Sequence, residues 1–583
     1  MSNSYYSDER GIQMMIYLMK KHGIKRVIAS PGATNVIFVT SLQNDPYFEM
    51  YSVVDERSAA YLACGLAEET GEPVAITCTG ATSSRNYLPG LTEAFYRKIP
   101  VLAITAAQHE TRIGQLTPQM LDRRSQLNDI VKMSVQVPKI QSAEDEWGYG
   151  VKINDALLEL RKDGGGPVHI NLTTSYSKDY SVKEIKPVPV IHRYTYDDAL
   201  PEINADQVAI FIGAHSVFTP ETTAAIEAFC ERYNGVVWCD RTSNYHGKYR
   251  VFPSIVCGQD VYESPLKKPD LMIHIGEVSG AYLKISPKNV WRVSPDGCVR
   301  DYFRKLSNVF EMSDLFFFKS YAGKRDGKNT AYYEKWKQEC SRIRAGIPEL
   351  PFSNLWIAQH TIDKIPEGAV LHVGILNSLR AWNMFEGPEG MRSYCNTGGF
   401  GIDGNTSTLI GASLANPEKL YFGIVGDLSF FYDMNSLGIR HIGKNIRLMV
   451  VNNGRGTEFR NYSHSAAHLG EKADEYVAAA GHYGNKNPAL IRDYAKALGY
   501  TYLSATNKEE YLQAVDQFVN PQIGDRMMVF EVFTDTEDES NALRMINHIE
   551  KSAKSSLQQQ TKQFAKSFLG KQGLKMAKSL IKK

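Results

Sequence analysis

The chain has 583 residues, 43% hydrophobic and 22% charged, a globular composition that excludes a disordered or fibrous protein. Its 66 Lys and Arg nearly balance 64 Asp and Glu, for a formal charge of +2, so nothing global points to nucleic acid as a partner. No apolar run approaches the ~20 residues of a membrane span, and the length suggests about three to four domains.

The N-terminus, MSNSYYSDERGIQ, has no apolar signal core. Eight cysteines lie at positions 64, 78, 230, 239, 257, 298, 340 and 395 without a Cys-x-x-Cys pair. They read as reduced thiols of a cytoplasmic protein rather than a zinc site or disulfide scaffold. Short apolar runs predict buried strands at 26–30, 74–79, 101–107 and 168–172, with a helical pattern at 56–69. Residues 183–203 carry prolines with weak periodicity and predict a linker. Strands follow at 208–213, 235–239 and 271–276, with a helix at 220–232. A polar, charged break covers 320–352, and further strands are predicted at 369–374, 420–426, 447–452 and 527–533.

This alternation predicts an α/β protein of three doubly wound parallel-sheet domains, 1–185, 195–340 and 350–540. After Glu550 no acidic residue appears, while nine lysines do. Ala565, Phe568, Leu569, Gln572, Met576 and Leu580 fall near one helical face. Residues 551–583 therefore predict a basic amphipathic tail, first as a surface helix packed on the body or a frayed end, and alternatively as a segment that docks on an anionic membrane or a protein partner.

Three segments carry chemistry. In 420–453 one buried strand ends in Gly426-Asp427 and a second in Asn452-Asn453. Asp427 supplies a hard anionic oxygen and Asn453 an amide oxygen, a pairing that suits Mg²⁺ or Ca²⁺ on a diphosphate. In 396–412 four glycines precede a small-residue helix, a loop that lets main-chain N–H groups approach phosphate. In 53–68 Glu56 opens a helix of small apolar residues, either as a dipole or capping partner or as a carboxylate that exchanges a proton with a bound heterocycle.

Together these segments resemble the thiamine-diphosphate enzymes of the acetolactate synthase and pyruvate decarboxylase type, over about residues 8–540. GIDG at 401–404, IVGDLS at 424–429, YDMNSL at 432–437, VVNN at 450–453 and VGILNSLR at 373–380 are most similar to the menaquinone-pathway SEPHCHC synthase branch. The resemblance implies a pyrimidine-binding first domain, a Rossmann-like central domain without flavin and a diphosphate-binding third domain. It implies thiamine diphosphate and Mg²⁺ as cofactors. Glu56 would bond the aminopyrimidine, with Gln119 as a second catalytic residue. Asp427, Asn453 and the main-chain carbonyl near Arg455 would hold the metal. Gly80, Ala81, Asn86, Asn377, Ser378, Gly401, Ile402, Gly426, Leu428 and Ser429 would contact the cofactor, with Ile402 as the prop beneath it.

The implied reaction is decarboxylation of a 2-oxo acid with carboligation of the acyl carbanion to an acceptor, in a homo-oligomer. Polysaccharide or secondary metabolism is the suggested setting. A simple decarboxylase, an acetolactate-synthase-like enzyme and a non-catalytic scaffold are the rival readings. Departures from the branch stand out. Where it has an Arg in a Pro-Gly-Ser-Arg-Ser loop, this chain has Pro31-Gly32-Ala33-Thr34-Asn35, and Asn396-Thr397-Gly398 replaces its Asn-Arg-Gly. Arg is the natural bidentate partner of carboxylate, so a different acceptor is expected. Arg112, Arg380, Arg392 and Arg455 are candidate anion binders, and His464 and His468 lie in the loop after the metal motif.

Overall fold

The structure, a computed structural model, describes residues 5–281 and 283–550; the predicted tail 551–583 lies outside them. By internal packing the chain forms two compact units, one of residues 5–200 with 290–312 and one of 201–289 with 313–550. Three parallel α/β sheets supply the strands.

The first sheet, in the first unit, contains β1 (Arg26–Ala29), β2 (Glu49–Ser52), β3 (Val74–Cys78), β4 (Val101–Ala107), β5 (Met133–Val137) and β6 (Val168–Thr173). Their order is β2-β1-β3-β4-β6-β5, every pairing parallel. β3 and β4 are buried at every position, as their unbroken apolar runs require. Separate apolar clusters cover the two faces: one around Met15, Ile16, Phe38 and Leu157, the other around Ala60, Ala63, Tyr87 and Leu91.

The middle of the chain gives the first unit β7 (His192–Tyr194), β12 (Val290–Val293) and β13 (Leu306–Phe310), ordered β12-β13-β7. It gives the second unit β8 (Val208–Ile212), β9 (Gly235–Cys239), β10 (Arg250–Val251) and β11 (Leu271–Ile275), ordered β10-β9-β8-β11. Strand β7 falls inside the predicted linker 183–203, and the polar break 320–352 contains a helix, Ala331–Ala345, anchored by buried Tyr332 and Trp336.

The third sheet, in the second unit, contains β14 (Val370–Val373), β15 (Arg392–Tyr394), β16 (Tyr421–Gly426), β17 (Ile446–Asn452), β18 (Thr501–Ala505) and β19 (Met528–Phe533), ordered β15-β14-β16-β17-β19-β18. Counted within each sheet, the first and third have the same strand order, which reverses between the first and third strands. In open parallel sheets, ligands bind outside the carboxyl ends of the strands at that reversal. All eight cysteines are unpaired, six of them buried. No helix among the described residues is long and apolar enough to cross a membrane.

Candidate functional site

In the first unit the reversal lies between β1 and β3. The Pro31–Asn35 loop leaves β1, and Gly80-Ala81 follows β3. Thr34 binds the two together. Its N–H donates to Thr79 Oγ1 (3.1 Å), its hydroxyl donates to the Ala106 carbonyl (2.6 Å), and it accepts from the Gly80 N–H (3.2 Å). The two threonine hydroxyls also pair, and Thr174 Oγ1 donates to the Thr34 carbonyl (2.9 Å). The position that carries Arg in the resembling branch is thus buried here and joins the ends of β1, β3, β4 and β6. Gly32 packs so tightly on this clasp that a Cβ there would fall 2.3 Å from Thr79 Cβ.

Glu56 opens the helix Glu56–Thr70, whose N-cap is Asp55; the Asp55 carboxylate accepts from Ser58 N–H at 2.8 Å. Capping is therefore done by Asp55, which leaves the Glu56 carboxylate to accept from Asn86 Nδ2 at 3.0 Å. Asn86 ends the short helix Thr82–Asn86, and Ala81 before it holds φ 62°, a strained value for a side-chain-bearing residue. Gln119 is exposed with φ 64°; it meets Gly80 through its main chain, where a Cβ on Gly80 would lie 2.8 Å from the Gln119 carbonyl oxygen.

In the second unit the reversal lies between β14 and β16. Asp427 opens the helix Asp427–Asp433 directly after β16, and Asn453 follows β17. Asp427 is 4% exposed, and Gly454 N–H donates to its Oδ2 at 2.9 Å. No side-chain cation among the described residues pairs with it, and burial pushes its pKa up to about 7 against main-chain hydrogen bonds that favour the anion. A buried carboxylate without a counter-ion, beside the half-buried Asn453 amide, fits a hard divalent cation such as Mg²⁺.

The glycine-rich loop is stitched to this point. The Ile402 carbonyl accepts from Ser429 Oγ (2.5 Å) and Asn405 Nδ2 (2.8 Å), and Asn405 Nδ2 also reaches Ser429 Oγ (2.9 Å). Gly401, Ile402, Gly426, Asp427, Leu428 and Ser429 are thereby brought together. Asn377 and Ser378 begin the helix Asn377–Trp382 after β14; Asn461 Nδ2 donates to Asn377 Oδ1 (3.1 Å), and Ser378 Oγ accepts from Asn354 Nδ2 (3.2 Å).

The candidate anion binders are otherwise engaged or lie on the surface. Arg380 pairs with Glu458, and Arg455 with Asp474, so the Arg455 side chain is turned to an ion pair rather than presented as an anion site. Arg112 is exposed and bonds Gln108, and Arg392 is exposed on β15. His464 Nδ1 accepts from Ala466 N–H as a cap, and His468 Nδ1 lies 2.7 Å from the Ser465 carbonyl.

Three features escape sequence reading. Asn452 is not a twin of Asn453: its Nδ2 donates to the buried Glu531 (2.7 Å), which also accepts from Tyr502 OH (2.7 Å). Glu539 accepts from Asn354 N–H with both oxygens (3.0 and 3.1 Å) and from Thr534 Oγ1 (2.7 Å). Burial raises its pKa to about 7. Arg123, 1% exposed, sits against Gly80 with no hydrogen-bond partner for its guanidinium among the described residues, and burial lowers its pKa.

Residues 9–127 match the model of the thiamine pyrophosphate enzyme N-terminal TPP binding domain, and residues 377–532 that of the C-terminal TPP binding domain. The chain is 31% identical over 567 residues to a 2-succinyl-5-enolpyruvyl-6-hydroxy-3-cyclohexene-1-carboxylate synthase of Phocaeicola vulgatus, covering 93% of this chain and 99% of that one. The synthase of the same name from Bacteroides thetaiotaomicron is 32% identical over 570 residues, and that from Bacteroides fragilis 30% over 577, with the same coverage.

Proposed function

Because the chain belongs to the thiamine pyrophosphate enzyme family, we propose that it decarboxylates a 2-oxo acid and joins the resulting acyl unit to a carbonyl acceptor. The observation that carries this reading is the Glu56 carboxylate, relieved of capping by Asp55 and held by Asn86. Thiamine diphosphate, when bound, supplies the electron sink that lets the carboxylate leave as CO₂. Glu56 would be the carboxylate that holds and returns a proton at the pyrimidine ring nitrogen, and Asn86, bonded to it at 3.0 Å, would keep it in place for that role. Asp427, Asn453 and the main-chain carbonyl at Arg455 hold Mg²⁺.

Asn377, Ser378, Gly426, Leu428 and Ser429 bind the diphosphate, and the loop at Gly401-Ile402 supports the ring system. Gly80 and Ala81 would contact the cofactor, and Gln119 would be a second catalytic residue. We take 1–185, 195–340 and 350–540 as the functional domains, the protein as a cytoplasmic homo-oligomer, and polysaccharide or secondary metabolism as its setting. Residues 551–583 would give peripheral contact with a membrane or protein; liposome co-sedimentation of the full chain, set against one ending at Glu550, tests this, and equal sedimentation rejects it.

CO₂ release from a panel of 2-oxo acids, with ThDP and Mg²⁺ and with or without a carbonyl acceptor, tests the reaction. Release that yields only an aldehyde would reduce the reading to a decarboxylase. No release together with no thermal shift on adding ThDP and Mg²⁺ would leave a scaffold.

A further inference from the structure

Asn354 joins three helices of the second unit. It opens the helix Asn354–Thr361 and is 4% exposed. Ser353 caps that helix by accepting from the Trp356 N–H, which spares the Asn354 side chain any local duty. The Asn354 main-chain N–H is taken by both oxygens of Glu539, on the helix Thr536–Asn547, and Thr534 Oγ1 donates to the same carboxylate. The Asn354 side chain reaches the helix Asn377–Trp382, where Ser378 and Trp382 stand four residues apart and so share one face.

The two contacts fix the direction of every proton between them. Trp382 Nε1 donates to Asn354 Oδ1 at 3.0 Å. An indole nitrogen can only donate, so the atom that faces it must be the amide oxygen, and the orientation of the amide is settled by chemistry. Nδ2 is then the atom that faces Ser378, and it donates to Ser378 Oγ at 3.2 Å. A hydroxyl that receives a proton from Asn354 cannot give its own proton back along the same line. Among the described residues the Ser378 hydroxyl proton has no acceptor. The series Trp382, Asn354, Ser378 thus donates in one sense and ends in a free donor. Each bond in such a series polarises the next, and an anionic oxygen is the strongest acceptor for its last member.

We propose that Asn354 is a positioning residue for the cofactor: anchored by Glu539 and oriented by Trp382, it turns the Ser378 hydroxyl proton away from itself, so that Ser378 donates to a phosphate oxygen of thiamine diphosphate. The proposal rests on the reading above that gives Ser378 to the diphosphate. Asn354 acts only through Ser378. An acceptor in its place would reverse the series: Ser378 would donate to residue 354 and turn its lone pairs, rather than its proton, to the phosphate.

Isothermal titration calorimetry of the full chain with ThDP in excess Mg²⁺ tests this. It reads Kd in the parent, in Ser378→Ala, Asn354→Asp and Asn354→Ala, and in the two double variants with Ser378→Ala. Ser378→Ala should raise Kd ~10-fold or more, the usual worth of a hydrogen bond to a charged group. Asn354→Asp still accepts from Trp382 but also takes the Ser378 proton, and should raise Kd at least as much. Part of that rise is repulsion between the new carboxylate and the diphosphate, which persists without the hydroxyl. The rise should therefore be ~5-fold or more smaller in the Ser378→Ala background, the difference being the diverted proton. Asn354→Ala, which merely frees the hydroxyl to turn, should cost ~3-fold in the parent and nothing measurable beside Ser378→Ala; it carries the test if Asn354→Asp does not fold. A residue with a merely structural role would change Kd by the same factor in both backgrounds. Equal factors, or an Asn354→Asp Kd within about 2-fold of the parent, would overturn the positioning role. ThDP bound as tightly by Ser378→Ala as by the parent would also overturn it, while leaving the cofactor in place. No binding of ThDP by the parent would remove the cofactor reading and this proposal together.

Discussion

The side-chain amide of Asn86 donates to the Glu56 carboxylate across 3.0 Å, while the neighbouring Asp55 takes the helix cap. Two adjacent acidic residues thus have separate partners: Asp55 serves the helix end, and Glu56, to which the proposed function gives the proton exchange, is held by a side chain. Glu56→Gln should retain thermal stabilisation by ThDP and Mg²⁺ but lower 2-oxo-acid turnover by ~10²–10⁴-fold, the usual worth of a positioned acid–base group. Asn86→Ala should cost less than Glu56→Gln. Turnover by Glu56→Gln equal to the parent would remove Glu56 from the chemistry.

Asp427 should govern metal-dependent cofactor binding. At cofactor concentrations ~100 times Kd, the parent gains about 2.7 kcal/mol of stability, visible as a rise in Tm. Asp427→Ala should lose most of that rise, and chelation of Mg²⁺ by EDTA should reproduce the loss in the parent. An unchanged ThDP-induced shift in both experiments would contradict the assignment.

Glu539 should leave a pH signature on stability. Its pKa in the folded chain is about 7 against an ordinary value of 4.5, so the folded state holds the proton more tightly than the unfolded state. Its favourable contribution is full below about pH 4.5 and is lost as pH rises to about 7, of order 3 kcal/mol in all. Urea unfolding of the parent, measured relative to Glu539→Gln, should therefore show stability falling across that window and level above it. Parallel pH profiles for the two proteins would refute this.

Thr34→Val removes the hydroxyl that serves the Ala106 carbonyl and the Gly80 N–H. Two buried main-chain groups lose their partner, and the expected cost is ~1–3 kcal/mol for each one left unsatisfied. A shift of the urea midpoint with an unchanged m-value would report it.

The strands buried on both faces, such as β3, β4, β8, β9 and β16, were legible as apolar runs. Most of those the runs did not announce lie at sheet margins: β2, β5, β7, β10, β15 and β18. Marginal strands need burial on fewer sides, as the pattern of β2 shows, and their sequences lose the continuous signal. β12 and β13 hid for another reason, because Arg292 and Asn308 interrupt them. At the site, Asp427, Asn453 and the glycine loop were visible because their residue types and strand-end positions are local features. The link from Glu539 to Asn354 spans 185 residues, and nothing in either neighbourhood announces it. Thr34 reads as an ordinary loop threonine until β3, β4 and β6 are placed beside it.

The repeated strand order of the first and third sheets has a consequence for how such a protein changes over time. Two copies of one wiring diagram carry different side chains at their rims: Glu56 held by Asn86 on the first, buried Asp427 held by the Gly454 N–H on the third. The difference resides in a few residues after each strand, so the scaffold is indifferent to what its rim does. Half-exposed Val36 lies outside the hydrogen bonds of the Thr34 clasp, so a side chain can change there without breaking the links between β1, β3, β4 and β6, whereas a change at Thr34 loosens all four strand ends together.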